Sequence, residues 1–100
     1  MDGFVQLVEW KTSRIDDVRA LSDAYREENA GRGGPVRVTI VADRERENTY
    51  LTIAEFESYD AAMANSGRPE TAAFAAKMGE LCDGPPSFRN TDVLFSEAVG

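Results

Sequence analysis

Arg37, Tyr50 and Trp10 are the side chains of this chain best suited to chemistry on an organic molecule: a permanent cation that can hold an anion, and two rings that can wall in a planar group. Gln6, Thr39 and Thr52 supply hydrogen-bonding groups on neighbouring β-rich segments, Phe56 supplies a third ring, and Asn65 an amide beside a helix break. These types suggest a site with Arg37, Tyr50 and Trp10 in the catalytic roles and Gln6, Thr39, Thr52, Phe56 and Asn65 binding substrate. A guanidinium among apolar groups is costly unless it meets a carboxylate or an anionic ligand, so a charge pair across a dimer is the structural alternative for Arg37. Trp10 and Tyr50 suit interface packing equally well.

Other candidates are weaker. Glu55 and Glu57 stand two apart and share one strand face, where a desolvated member would serve as a base and a solvated one would do nothing. Asn65, Ser66 and Arg68, and Arg89 with Asn90, fall in loops, where they serve as caps and turns or as site residues. Cys82 is the single cysteine; on the apolar stripe of a helix it reads as a small buried hydrophobe, not a nucleophile. The chain has no histidine, which removes His-based triads, proximal-His haem and His-anchored zinc. No motif supports a metal, nucleotide or flavin, and no cofactor is expected.

Composition narrows the partners. The net charge is −7. Residues 1–50 hold 8 basic and 10 acidic groups, a balance of −2, and residues 51–100 hold 3 and 8, a balance of −5. Nucleic acid and anionic membrane surfaces, which need clustered Lys and Arg, are disfavoured. One hundred residues suffice for one domain, residues 1–100. No run approaches the roughly 20 apolar residues of a membrane span. The start, Met1-Asp2-Gly3-Phe4, lacks the basic and apolar regions of a secretory signal, and a cytoplasmic location is expected.

The elements that must position these side chains follow from periodicity. Phe4–Trp10 is a β-branched and aromatic run with apolar residues on both faces. Ser13-Arg14-Ile15-Asp16 looks like a capping box, after which Ile15, Val18, Leu21 and Tyr25 recur at helical spacing to about Asn29. The segment Ala30-Gly31-Arg32-Gly33-Gly34-Pro35 stops that helix; it follows a helix instead of joining a strand to one, so it reads as a loop and not as a phosphate cradle. Val36–Ala42 and Thr49–Glu57 form an antiparallel hairpin around the charged tip 43–48. A helix beginning at Ser58 is interrupted at Gly67-Arg68-Pro69, with Pro69 opening its second piece and Phe74, Met78, Leu81 and Cys82 as its buried stripe. Thr91–Ala98 is expected as the last strand. The order is β-α-β-β-α-β, an α+β ferredoxin-like fold with a four-stranded antiparallel sheet.

Two helices cover one face of such a sheet. With Val5, Leu7, Val36, Val38, Ile40, Leu51 and Ile53 set toward the helices, alternation leaves Phe4, Gln6, Val8, Trp10, Arg37, Thr39, Val41, Tyr50, Thr52, Ala54 and Phe56 on the other side. That face is too aromatic to leave in water, and a second copy covering it gives a homodimer, sheet against sheet.

The element order, with the junction Ala54-Glu55-Phe56-Glu57-Ser58-Tyr59-Asp60-Ala61-Ala62, resembles the dimeric α/β-barrel superfamily, in particular the small proteins grouped with antibiotic biosynthesis monooxygenases. The resemblance implies two sheets facing each other as a barrel, and a pocket for a small, often aromatic ligand inside the barrel mouth or between sheet and helices. Relatives that bind or degrade haem use a histidine after the third strand; here that helix reads Ala61-Ala62-Met63-Ala64-Asn65-Ser66. What the resemblance leaves open is cofactor-free oxygenation of an electron-rich, polyketide-like phenol, in which the substrate carbanion itself reduces oxygen and the protein supplies shape and hydrogen-bond donors. A non-catalytic ligand-binding or structural homodimer, and a cyclase or isomerase without a His base, are the alternatives. An enzyme calls for a cavity of a few hundred cubic ångströms with Arg37 or a tyrosine reaching in; a structural protein calls for a filled barrel.

Overall fold

The chain, described over residues 3–100 by a computed structural model, folds in the order β1 (Phe4–Lys11), α1 (Ile15–Glu28), β2 (Arg37–Ala42), β3 (Thr49–Phe56), α2 (Tyr59–Ser66), α3 (Pro69–Leu81) and β4 (Ser87–Asp92). Met1 and Asp2, the head of the segment read for a secretion signal, lie outside the described residues. The four strands form an antiparallel sheet ordered β2-β3-β1-β4. No helix of the described residues is long and apolar enough to cross a membrane.

Local chemistry sets most boundaries. Ser58 caps α2, its hydroxyl accepting from the Ala61 N–H at 3.0 Å. Pro69 opens α3. The β2–β3 hairpin closes with the Asp43 N–H on the Thr49 carbonyl, and Asn48 takes a left-handed turn at φ 57°. At α1 the capping box does not form: Arg14 is the N-cap, and the Thr12 hydroxyl, not Ser13, accepts from the Arg14 N–H at 2.9 Å. Thr12 is fully buried and also donates to the Leu81 carbonyl at 2.6 Å, so one hydroxyl joins the end of β1 to the start of α1 and the end of α3.

Two expectations are corrected. The last strand is Ser87–Asp92, four residues earlier than Thr91–Ala98. Pro85-Pro86 ends the preceding turn, so pairing with β1 begins at once, and an edge strand tolerates the polar sequence Ser-Phe-Arg-Asn-Thr-Asp. The apolar residues beyond it, Leu94 and Phe95, are exposed.

The faces of β1 and β3 are also reversed from the expected placement. Residues opposite each other in an antiparallel sheet share a face. Phe4 pairs with Phe56, Gln6 with Ala54, Val8 with Thr52 and Trp10 with Tyr50, and β2 places Val38 and Ile40 beside Ala54 and Thr52. This is the helix side: Ala62 of α2 closes the buried cluster of Phe4, Ala54 and Phe56, and the Tyr59 ring meets Phe4 edge-on at 5.5 Å. Val5, Leu7, Leu51 and Ile53 therefore point outward, opposite to the expected placement, while the expected sides of Val38, Ile40, Arg37, Thr39 and Val41 hold. With β1 and β3 apolar on both faces, alternation alone could not orient them; Ala54 is the small residue that lets α2 approach, and the large rings pack around it.

The outer face thus carries an aliphatic centre of Val5, Leu7, Leu51 and Ile53, with charged Glu9, Lys11, Arg37, Glu55 and Arg89 around it. The expected buried stripe of α3 is only half-buried, and no residue of that helix is fully buried. It rests chiefly on α1 through Tyr25 and Phe74, whose ring centres are 4.6 Å apart, and through the Tyr25–Thr71 hydroxyl pair at 3.1 Å.

Candidate functional site

Trp10, Tyr50 and Thr52 are brought together on the helix side. The Trp10 and Tyr50 rings stack at 4.9 Å with 24° between planes, and the indole N–H donates to the Thr52 hydroxyl at 2.8 Å. Trp10 is buried, so the stack forms a rigid wall in which the indole N–H is already satisfied.

Two positions away along the same face lies an amide pair. The Gln6 Nε2 donates to Asn90 Oδ1 at 3.2 Å. That bond uses one donor of Gln6 and leaves a free N–H on Gln6, two on Asn90 and the Gln6 carbonyl. Phe88, opposite Val8 and 60 % exposed, flanks the pair on the same side of the sheet. Gln6 and Val8 are half-buried, because α3 does not seal this edge. The strip Gln6, Val8, Phe88 and Asn90 thus combines an aromatic surface with a neutral donor and acceptor array open to a ligand.

The remaining expected residues are elsewhere. Arg37 and Thr39 lie on the outer face, with the sheet between them and the Trp10–Tyr50 stack; the single constellation expected of Arg37 with those rings does not form within one copy. Arg37 faces Glu55 across the strands at 3.7 Å with its side chain 74 % exposed. Phe56 is a core residue against Phe4, at 6.3 Å between ring centres. Asn65 lies against Gly34, where a Cβ would come 3.3 Å from Asn65 Oδ1; with φ at +103°, that position also favours glycine. Its neighbour Arg68 acts as a strut, donating to Asn29 Oδ1 at 3.0 Å, to the Arg32 carbonyl at 3.3 Å and to Glu70 at 3.2 Å. Glu57 lies beyond β3 and is exposed, and the Glu55 side chain is 43 % exposed beside Arg37, so neither is the desolvated carboxylate that a base would need. Cys82 is half-buried, and burial, followed by the Asp83 charge, raises its thiol pKa, so thiolate chemistry is disfavoured.

A groove of about 260 Å³ opens at the hairpin end of the outer face, lined by Glu9, Val41, Asp43, Arg46, Thr49, Tyr50 and Leu51. It is open, not enclosed, and its charges are mutually paired: Arg46 holds Glu9 and Asp43 at 2.9 Å each. The Glu45 N–H and the Arg46 guanidinium hold Asp43 below the ordinary carboxylate range. Among the described residues no group of three or more His, Cys, Asp or Glu could hold a metal ion.

Phe88 and the role of Asn90 were not legible in the sequence. With the last strand placed four residues late, both fell in a loop; the signal that could have placed them is Pro85-Pro86, which marks where pairing can begin.

Three solved structures show what this architecture is similar to. The chain superposes on a variant of SnoaB, a cofactor-independent oxygenase from Streptomyces nogalater, with a TM-score of 0.81 and 16 % identity over 96 % of this chain and 97 % of the other. A putative antibiotic biosynthesis monooxygenase from Nitrosomonas europaea gives 0.76 and 10 %, over 96 % and 94 %. One from Caulobacter crescentus gives 0.75 and 17 %, over 94 % and 92 %. No family model matches the chain, and no curated protein does. At these identities the likeness establishes a shared fold, that of the antibiotic biosynthesis monooxygenase-like proteins.

Proposed function

We propose that the protein is a homodimer that binds a small aromatic, polyketide-like molecule on the Gln6–Val8–Phe88–Asn90 strip and oxygenates it without a cofactor. The observation that carries this reading is the neutral amide pair beside an open aromatic ring, in a fold that SnoaB, a cofactor-independent oxygenase, also has. A planar phenol lies against Phe88 and gives its proton to solvent water at the open side of the strip, and its oxygen accepts from the Asn90 and Gln6 N–H groups. Those donors stabilise the resulting anion, which passes one electron to dioxygen; the radical pair recombines at carbon to a peroxide, which takes up a proton and loses water to leave the quinone.

The dimer is supported by the outer face. Its aliphatic centre of Val5, Leu7, Leu51 and Ile53, ringed by charge, has the layout of an interface core and rim. The aromatics expected to require a partner are covered by the chain's own helices, and the aliphatic residues take over that role.

Oxygen consumption with an anthrone-type phenol tests the reaction. Asn90→Ala should lower kcat/KM by about 10- to 100-fold, the loss of one or two anion-holding donors. No turnover by the unaltered protein would remove the enzyme reading. The separation of Arg37 from the strip favours a second reading, binding without turnover, in which the same ligand quenches Trp10 fluorescence and is not consumed.

A further inference from the structure

Asp92 completes a row on the helix side of β4. Phe88, Asn90 and Asp92 stand opposite Val8, Gln6 and Phe4, so the three share one face at intervals of about 7 Å, with the amide pair in the middle. Asp92 is exposed, and its carboxylate makes no hydrogen bond or ion pair among the described residues. Its cross-strand neighbour Phe4 is buried and meets the Tyr59 ring edge-on at 5.5 Å, and Tyr59 is itself 53 % exposed. A carboxylate left to solvent and an open phenol ring, both beside one buried ring, are groups that hold an organic ammonium, the first by charge and the second through the negative face of the ring.

We propose that the ligand of the strip is a fused aromatic system with an ammonium-bearing arm at the end away from Phe88, that Asp92 is the residue selecting it, and that the same ligand with a carboxylate on that arm is turned away. This rests on the strip being the ligand site, as proposed above. A three-ring plane with its oxygen at the Gln6 and Asn90 amides sets one outer ring over Phe88 and directs the other along β4 toward Asp92. A one-carbon arm on that second ring brings a nitrogen to the carboxylate.

Nothing on this side of the sheet offsets the charge of Asp92. The three basic residues of the strands, Lys11, Arg37 and Arg89, all turn to the outer face. The half-buried residues Thr71, Phe74, Met78 and Leu81 of α3 are uncharged. Arg68, before that helix, is held by Glu70, and Lys77 lies about one turn before Leu81, whose carbonyl bonds Thr12 beyond the end of β1 remote from Phe4. The amides in the middle of the row are neutral and serve an oxygen whatever the arm carries, so the end of the row decides between charges.

The test is the affinity of anthraquinones bearing an aminomethyl, a hydroxymethyl or a carboxylate group at the same outer-ring position, read by quenching of Trp10 emission at low ionic strength. Their ring carbonyl takes the same amide donors and they carry no hydrogen to be abstracted, so binding is read without turnover. The expected result is that the ammonium binds about threefold to fivefold tighter than the alcohol and the carboxylate about as much weaker, the range of an exposed ion pair. Asp92→Asn should bring the three within about twofold of one another, and Asp92→Lys should reverse their order; Asp92 is exposed on an edge strand, so neither change disturbs packing. Glu45→Gln, which removes one negative charge at the hairpin tip, should leave the order as it is. A carboxylate that binds the unaltered protein as tightly as the ammonium, an order that survives Asp92→Lys, or an equal response to Glu45→Gln would overturn the role of Asp92 and leave the strip standing. Binding of none of the three would overturn the strip as well.

Discussion

The Trp10 indole lies flat against the Tyr50 ring, 4.9 Å away, and spends its one hydrogen bond on Thr52, two residues along β3 from Tyr50. Trp10 is the only tryptophan in the chain, so its emission reports directly on this stack. Thr52→Val removes the acceptor and leaves a buried N–H unsatisfied, at a cost of about 1–3 kcal/mol. A lower urea midpoint with unchanged slope, together with an altered Trp emission maximum, is the expected outcome.

The cap on α2 predicts a separate loss. Ser58→Ala deprives the Ala61 N–H of its partner, and the substitution should lower stability by about 1 kcal/mol, read by thermal denaturation. Ser13→Ala should change little, since the corresponding role at α1 belongs to Thr12.

The hairpin tip predicts an acid dependence. Asp43 has a folded pKa below its ordinary value of 3.8, held down by the Glu45 N–H and then by Arg46. A depressed carboxylate contributes stability that is present above the ordinary value and is lost as pH falls through the lower, folded one. Arg46→Ala should therefore move the Asp43 carboxyl titration, followed by NMR, upward toward its ordinary value, while the Glu45 N–H retains part of the shift.

Arg68 ties the loop after α1 to the start of α3 through Asn29 and Arg32. Arg68→Ala leaves those groups unpaired and should raise amide exchange in residues 29–34 while sparing β1 and β3, a local opening visible by hydrogen exchange.

How much of this was legible in the sequence differs by element. The hairpin followed from two alternating runs around the charged tip 43–48, and both pieces of the second helix from Ser58, Gly67 and Pro69, residues whose backbone or capping preferences act locally. The orientation of β1 and β3 did not, because Phe4 and Val5, or Ile53 and Ala54, are adjacent apolar residues, and only contact with Ala62 decides which turns inward. Arg37 was read to its correct side, but the rings expected beside it turned the other way. The amide pair depends on the β1–β4 register, a contact between residues 6 and 90 that local pattern cannot supply.

The proposed function depends most on the outer face of the sheet being covered by a second copy. Light scattering at about 10 μM should give twice the 11.0 kDa of the chain, falling to the single mass when Leu7→Arg places a charge in the aliphatic centre. A mass of 11.0 kDa for the unaltered protein at that concentration would contradict it.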